Sequence, residues 1–120
     1  MAGILFQQTQ DLEKIKIFYS NIDSKIWLDQ GDCTIFKHDN FLFGFCQREH
    51  ISKDGLITFF YETKQEVDEV YRKVRDRANS EPTENKKYNI YNFFATDPEG
   101  RVLEFQTFLH QIDFNWEKYR

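Results

Sequence analysis

Glu104 is the residue of this sequence best placed to do chemistry. It stands in "DPEGRVLEF", an acidic turn that runs at once into a strand, between Leu103 and Phe105. Alternation along a strand puts Val102, Glu104 and Gln106 on one face, with Leu103 and Phe105 on the other. A carboxylate there can ligate a metal, anchor a bound molecule, act as a general base once desolvated, or be a solvated strand residue. Other donors are few. Gln8 offers an amide oxygen and Tyr61 a phenol. The histidines are scattered: His38 in a turn, His50 in a polar linker, His110 in the C-terminal tail. Cys33 and Cys46 lack metal-site spacing and, with no extracellular context, are expected as two reduced thiols. Cys46 shares a strand face with Gly44, a glycine whose place inside a strand marks a bend or a space kept open. No nucleophile–base pair and no phosphate-binding loop is visible.

The elements that position these residues alternate between two periods. "GILFQQT" (3–9) is a strand with Ile4, Phe6 and Gln8 on one face. "QDLEKIKIFYSNI" is a helix whose stripe is Leu12, Ile15, Phe18 or Tyr19, and Ile22, with Asp11 at its positive end. Strands follow at 25–29, 33–37 and 41–47, separated by the turns "QGD" and "HDN". After the polar stretch "REHISKDG" the pattern restarts. "LITFFYE" is a strand with Ile57, Phe59 and Tyr61 on one face. A helix capped by Thr63 buries Val67, Val70, Tyr71 and Val74. "NSEPTENKK" is a breaker loop with room for a hidden strand, and "YNIYNFFAT" and "RVLEFQTFL" are strands joined by "DPEG".

The chain has 120 residues, one domain's worth, and a net charge of −4 that argues against a nucleic-acid partner. No apolar stretch is long enough to span a bilayer, and no secretory signal is evident, so neither a membrane nor export is expected and the cytoplasm is. The aromatic content is high: thirteen Phe, six Tyr and two Trp supply a thick core and leave rings over for a pocket.

A βαβββ pattern therefore occurs twice, with Ile4-x-Phe6 matching Ile57-x-Phe59, Leu12-x-x-Ile15 matching Val67-x-x-Val70, and "DNFLFGF" matching "EGRVLEF". "DLEKIKIFYSNI" and "FFATDPEGRVLEF" resemble the vicinal oxygen chelate superfamily of glyoxalase I, extradiol dioxygenases and bleomycin-resistance proteins, over residues 3–108. The resemblance implies an α+β fold: two βαβββ modules, a curved mixed sheet around a cleft, and helices outside. Module one is then 3–47, the linker 48–55, module two 56–108 and the tail 109–120. Metal-dependent relatives draw ligands from the first and last strands of each module. Here those positions carry Ile4, Gly44, Ile57 (or Phe59) and Glu104, so the resemblance implies no bound metal and no cofactor.

The expected site is an apolar floor of Ile4, Phe6, Ile57 and Phe59, walls from Trp27, Phe36, Tyr91 and Phe93, and polar anchors in Glu104, Gln106 and Gln8. Tyr61, Gly44 and Cys46 border it. The function expected is metal-free, bleomycin-resistance-like binding of a small hydrophobic or aromatic molecule, cations included. Two alternatives stay open: a metal-dependent lyase, isomerase or dioxygenase, and a structural or regulatory dimer without a ligand. A homodimer is expected by analogy with two-module relatives, with the tail residues Phe114, Trp116 and Tyr119 offering apolar surface.

Overall fold

The computed structural model describes residues 2–119. It divides into two compact units, the first ending at Asp54 and the second spanning Gly55–Lys118.

Module one runs β1 (Leu5–Thr9), α1 (Leu12–Asn21), β2 (Lys25–Asp29), β3 (Cys33–His38) and β4 (Phe41–Gln47), with sheet order β1-β4-β3-β2. Asp11 ends the first loop because its carboxylate accepts from the Lys14 N–H at 3.1 Å and caps α1. The helix then buries Leu12, Ile15 and Tyr19, with Ile22 just beyond its end. Tyr19, not Phe18, is the inward ring: it lies 4.9 Å from Phe45, 5.3 Å from Phe43 and 5.8 Å from Phe36. A fully buried ring at the hub of three others is worth about 3–5 kcal/mol against truncation to alanine. Phe36, Phe43 and Phe45 thus define the helix face of this sheet. In β2 the register slips between Ile26 and Leu28. Trp27 is the bulged residue and is half exposed.

The segment 48–54 is no loose linker. Ser52 donates its N–H to the Gln8 carbonyl and accepts the Gln8 N–H at 2.7 Å, while the Arg48 N–H donates to Thr9. The Ser52 bonds occupy the outer edge of β1 and satisfy groups an edge strand would otherwise expose, while the Arg48 bond continues the β1–β4 ladder.

Module two runs β5 (Ile57–Tyr61), α2 (Lys64–Val74), a single 3₁₀ turn (Arg75–Arg77), β6 (Thr83–Asn85), β7 (Ile90–Thr96) and β8 (Val102–Phe108), in the order β5-β8-β7-β6. The hidden strand of the breaker loop is β6. Thr63 and Glu66 form a reciprocal capping box at the start of α2. Val67, Val70 and Val74 face the sheet, and Tyr71 is half-buried with its ring edge-on to Phe93 at 5.3 Å. Phe93, Phe105 and Phe59 stack in a row, 5.1 and 5.4 Å apart.

The turn before β8 is anchored by a buried ion pair. Asp97 and Arg101 are 1% and 2% exposed, and Arg101 Nη1 donates to Asp97 Oδ2 at 3.0 Å and to Glu99 Oε1 at 2.9 Å. Asp97 Oδ1 accepts the N–H groups of Glu99 and Arg101. Gly100, at φ 87°, supplies the left-handed residue the turn needs. A short helix, α3 (Trp116–Tyr119), ends the described chain. Among the described residues no helix is long and apolar enough to cross a membrane.

Candidate functional site

Glu104 sits mid-strand in β8 and is 9% exposed. Each of its oxygens holds one neutral donor. Thr58 Oγ1 donates to Oε1 at 2.8 Å and Asn92 Nδ2 donates to Oε2 at 2.8 Å. Strand register makes this possible: Thr58 pairs with Glu104 across the parallel β5–β8 ladder, and Asn92 pairs with Gln106 across β7–β8. Among the described residues no Lys or Arg pairs with Glu104. A carboxylate oxygen has two acceptor positions, so one on each remains for a further donor.

The register also decides which expected site residues share this face. Ile57 pairs with Leu103, Phe59 with Phe105 and Tyr61 with Thr107. Paired residues point to the same side, so Ile57, Phe59 and Tyr61 lie on the helix side, opposite Glu104. They are 5%, 2% and 6% exposed, and Phe59 belongs to the core stack. The expected floor beside Glu104 is thereby corrected: Thr58 and Phe60 occupy β5 on that face. Phe93 is also core, and Tyr91 turns to α2, donating its hydroxyl to Asp68 Oδ1 at 2.6 Å. Burial first, then the Asp68 carboxylate, pushes the Tyr91 phenol up to about 12. Phe36 is buried against Tyr19. Gln106 does share the Glu104 face and is half-buried.

In module one, Phe6 pairs with Gly44 and Gln8 with Cys46. Phe6 lies across the glycine: a Cβ on Gly44 would come within 2.7 Å of the Phe6 ring. The space at Gly44 is therefore filled by a side chain of its own module. Ile4 and Gln8 are exposed. The two modules superpose in pairing with Gly44 at the place of Glu104 and Phe6 at the place of Thr58, one residue off the expected first-strand match.

Three further expectations are corrected. Cys33 and Cys46 are opposite each other in the β3–β4 ladder and form a disulfide, so neither is a reduced thiol and Cys46 offers no free sulfur. His38 is not a turn residue but the buried end of β3, with Nδ1 3.4 Å from Ser24 Oγ; burial lowers its pKa, against the opposing pull of Asp39 and Asp23. Phe114 and Trp116 fold back onto Phe60 at 5.0 and 5.3 Å instead of projecting outward, and the Tyr119 side chain lies outside the described residues.

The donor set does not suit a catalytic metal. Such a metal needs several N or O ligands around one open position. Glu104 stands with a hydroxyl and an amide that already donate to it, and the equivalent positions of module one hold a ring and a glycine. Among the described residues, no group of three or more His, Cys, Asp or Glu is placed to hold a metal ion.

Sequence reasoning missed Thr58 and Asn92. Pairing β5 in register against β8 would have found Thr58, whose hydroxyl lies between two apolar neighbours on the opposite face.

No family model matches the sequence, and no curated protein does either. Solved structures match its fold. A glyoxalase/bleomycin resistance protein/dioxygenase from Alicyclobacillus acidocaldarius aligns over 92% of both chains with a TM-score of 0.72 at 15% identity. The fold is that of the glyoxalase/bleomycin-resistance/dioxygenase proteins. A hypothetical protein from S. aureus shares this fold at TM-score 0.74 and 20% identity, over 89% of this chain and 93% of its own. A lactoylglutathione lyase from Agrobacterium tumefaciens matches at 0.69 and 16%, over 89% and 92%. Identities this low establish the shared glyoxalase-like architecture of two βαβββ modules and leave the chemistry to the residues themselves.

Proposed function

We propose that this chain binds a small hydrophobic or aromatic molecule, cations included, at the Glu104 face of module two, without a metal and without a catalytic step. One observation carries the reading: a nearly buried carboxylate held by two neutral donors, with acceptor positions left over and no cation of its own. Burying such a group is costly unless something completes its bonding. A cationic or hydroxyl-bearing ligand would do so, and the net charge of −4 favours cations. Several proteins of the same fold carry bleomycin resistance in their descriptions, which supports sequestration as the role.

Binding titrations against aromatic cations and neutral aromatic molecules of equal size test this. Glu104→Gln is expected to weaken the cations more than the neutral molecules. A variant that binds every hit as the parent does would remove Glu104 from the site. Elemental analysis finding one divalent metal per chain, lost in Glu104→Ala, would turn the reading to the metal-dependent lyases and dioxygenases.

We also propose a homodimer paired through module one. Its edge strands carry exposed Phe6, Leu5, Ile26, Trp27 and Leu28, an apolar surface unlike that of the tail. Light scattering that reports a monomer at assay concentration overturns this. The cytoplasm stays the proposed location, where the Cys33–Cys46 bond would be a reversible pair. Rapid alkylation of intact cells, finding both cysteines always oxidised, would move the protein to an oxidising compartment.

A further inference from the structure

We propose that the Glu104 site selects a planar N–C–N cation, an amidine or guanidine, carried on an aromatic body. This rests on the reading that the Glu104 face binds a ligand, and adds which cation it takes. In the sheet, β8 lies between β5 and β7. Thr58 reaches Glu104 from the β5 side and Asn92 from the β7 side, one to each carboxylate oxygen and both at 2.8 Å. Donors that arrive from opposite sides meet the lateral position of each oxygen. The position left on each points outward along the side chain, so the carboxylate presents two parallel acceptors.

The surroundings fit the same ligand. None of the three strands contains a Lys or Arg. Phe94 stands opposite Glu104 in the β7–β8 ladder, on the same face, and is half-buried. Its ring joins neither the row of Phe93, Phe105 and Phe59 nor the cluster of Phe108, Phe114 and Trp116 around Phe60. Asn92 gives its NH₂ to Glu104 and keeps its amide oxygen. Gln106, paired with Asn92 and half-buried, adds a second amide oxygen.

Two parallel acceptors on one carboxylate match a cation whose two N–H groups point the same way, which bonds both oxygens at once. A primary ammonium is a point charge with tetrahedral donors and strong hydration, so it meets one oxygen well and gives up more water to do so. A neutral amide has one NH₂ and brings no charge to a buried carboxylate. The remaining N–H groups of an amidine have the amide oxygens of Asn92 and Gln106 on the same face. The aryl body has Phe94 to lie against.

Calorimetric titration of the full chain with benzamidine, benzylamine and benzamide tests this. All three carry one phenyl ring, and the first two share a positive charge and differ in the fork. Benzamidine is expected to bind about tenfold or more tightly than benzylamine, the worth of a second hydrogen bond to a charged group, with benzamide weaker than both. Glu104→Gln puts an NH₂ in place of one acceptor and should leave the two cations about equal. Thr58→Val keeps the charge but frees the lateral position of Oε1, and should lower the preference while benzylamine binds as before. Equal affinity of the parent for both cations overturns the fork. If Glu104→Gln then weakens both, Glu104 remains the anchor of a ligand; if it weakens neither, that reading falls as well. A benzamidine preference that survives in Glu104→Gln overturns the proposal by seating the cation elsewhere, and so does a lack of saturable benzamidine binding at millimolar concentration.

Discussion

Module one and module two repeat the same element order and strand pairing, yet they fill four equivalent ladder positions in opposite ways. Module two places Thr58, Glu104, Asn92 and Gln106 there, and three of the four are joined by hydrogen bonds around one carboxylate. Module one places Phe6, Gly44, Cys33 and Cys46 there: a ring over a glycine beside a disulfide. The helix faces differ far less, since both pack aromatic rows under an amphipathic helix. A duplicated frame has thus kept its core and specialised its other face. One module is closed by covalent and apolar contacts. The other keeps polar groups whose bonding is incomplete.

The sharpest test of that contrast is in the turns that lead to the two last strands. Asp97 balances Arg101 inside module two, and Asp97→Ala would remove one of the carboxylates that pair with that buried guanidinium. A loss of about 3–5 kcal/mol in urea unfolding is expected. In the corresponding turn of module one Asp39 adopts φ 51°. Asp39→Gly should relieve that conformation and change stability by about 1 kcal/mol or less, toward greater stability. If both substitutions cost the same, the turns do not differ as their contacts indicate.

The disulfide comes next. Cys33 and Cys46 close a short loop, 13 residues apart in sequence, and such a bridge contributes about 3 kcal/mol by restricting the unfolded chain. The double variant Cys33→Ser, Cys46→Ser should unfold at lower urea than the oxidised parent and be indifferent to reductant. Adding reductant to the parent should bring it down to the variant. Parent protein of unchanged stability after full reduction would show that the strands alone hold the hairpin.

What the sequence made legible was local periodicity. Leu12, Ile15 and Ile22 recur at helical spacing, and "DPEG" carries its turn in its own residues, so α1, α2 and most strands could be placed. Facing was not legible, because both sides of β5 are apolar: Ile57, Phe59 and Tyr61 on one, Phe60 on the other. A slip of one residue in matching the first strands moves a whole strand to the wrong face, and that is how Ile57 came to be expected beside Glu104. The cysteine pairing failed for the same reason. Thirteen residues of separation say nothing until β3 and β4 are set in register. β6 was hidden by being three polar, largely exposed residues long.

His38 gives module one a pH dependence of its own. Burial lowers its pKa in the folded state, so below the ordinary histidine range the unfolded chain takes up a proton before the folded one does. Its contribution is full above about pH 6.5, the unfolded value, and is lost as pH falls toward the lowered folded value. Unfolding measured at neutral and mildly acidic pH should show this loss in the parent and a smaller one in His38→Gln. A variant with the parent's full pH profile would assign the acid sensitivity to carboxylates instead.

The smallest effect is expected at Glu104, and it separates a residue kept for a ligand from one kept for the fold. Gln preserves the length of the side chain but offers one oxygen and one NH₂. Asn92 Nδ2 can only donate, so the new oxygen must face it, and the new NH₂ must face Thr58. The Thr58 hydroxyl can turn and accept, which keeps both contacts. Two bonds to a charge become two neutral ones, while a buried charge disappears; the net change should be about 1 kcal/mol or less, of either sign. Glu104→Ala strands the Asn92 amide, itself 8% exposed, and should cost about 1–3 kcal/mol. Unfolding curves for the two variants therefore ought to differ. Were Gln as damaging as Ala, the negative charge itself would be holding module two together, and Glu104 would match the disulfide of module one in role.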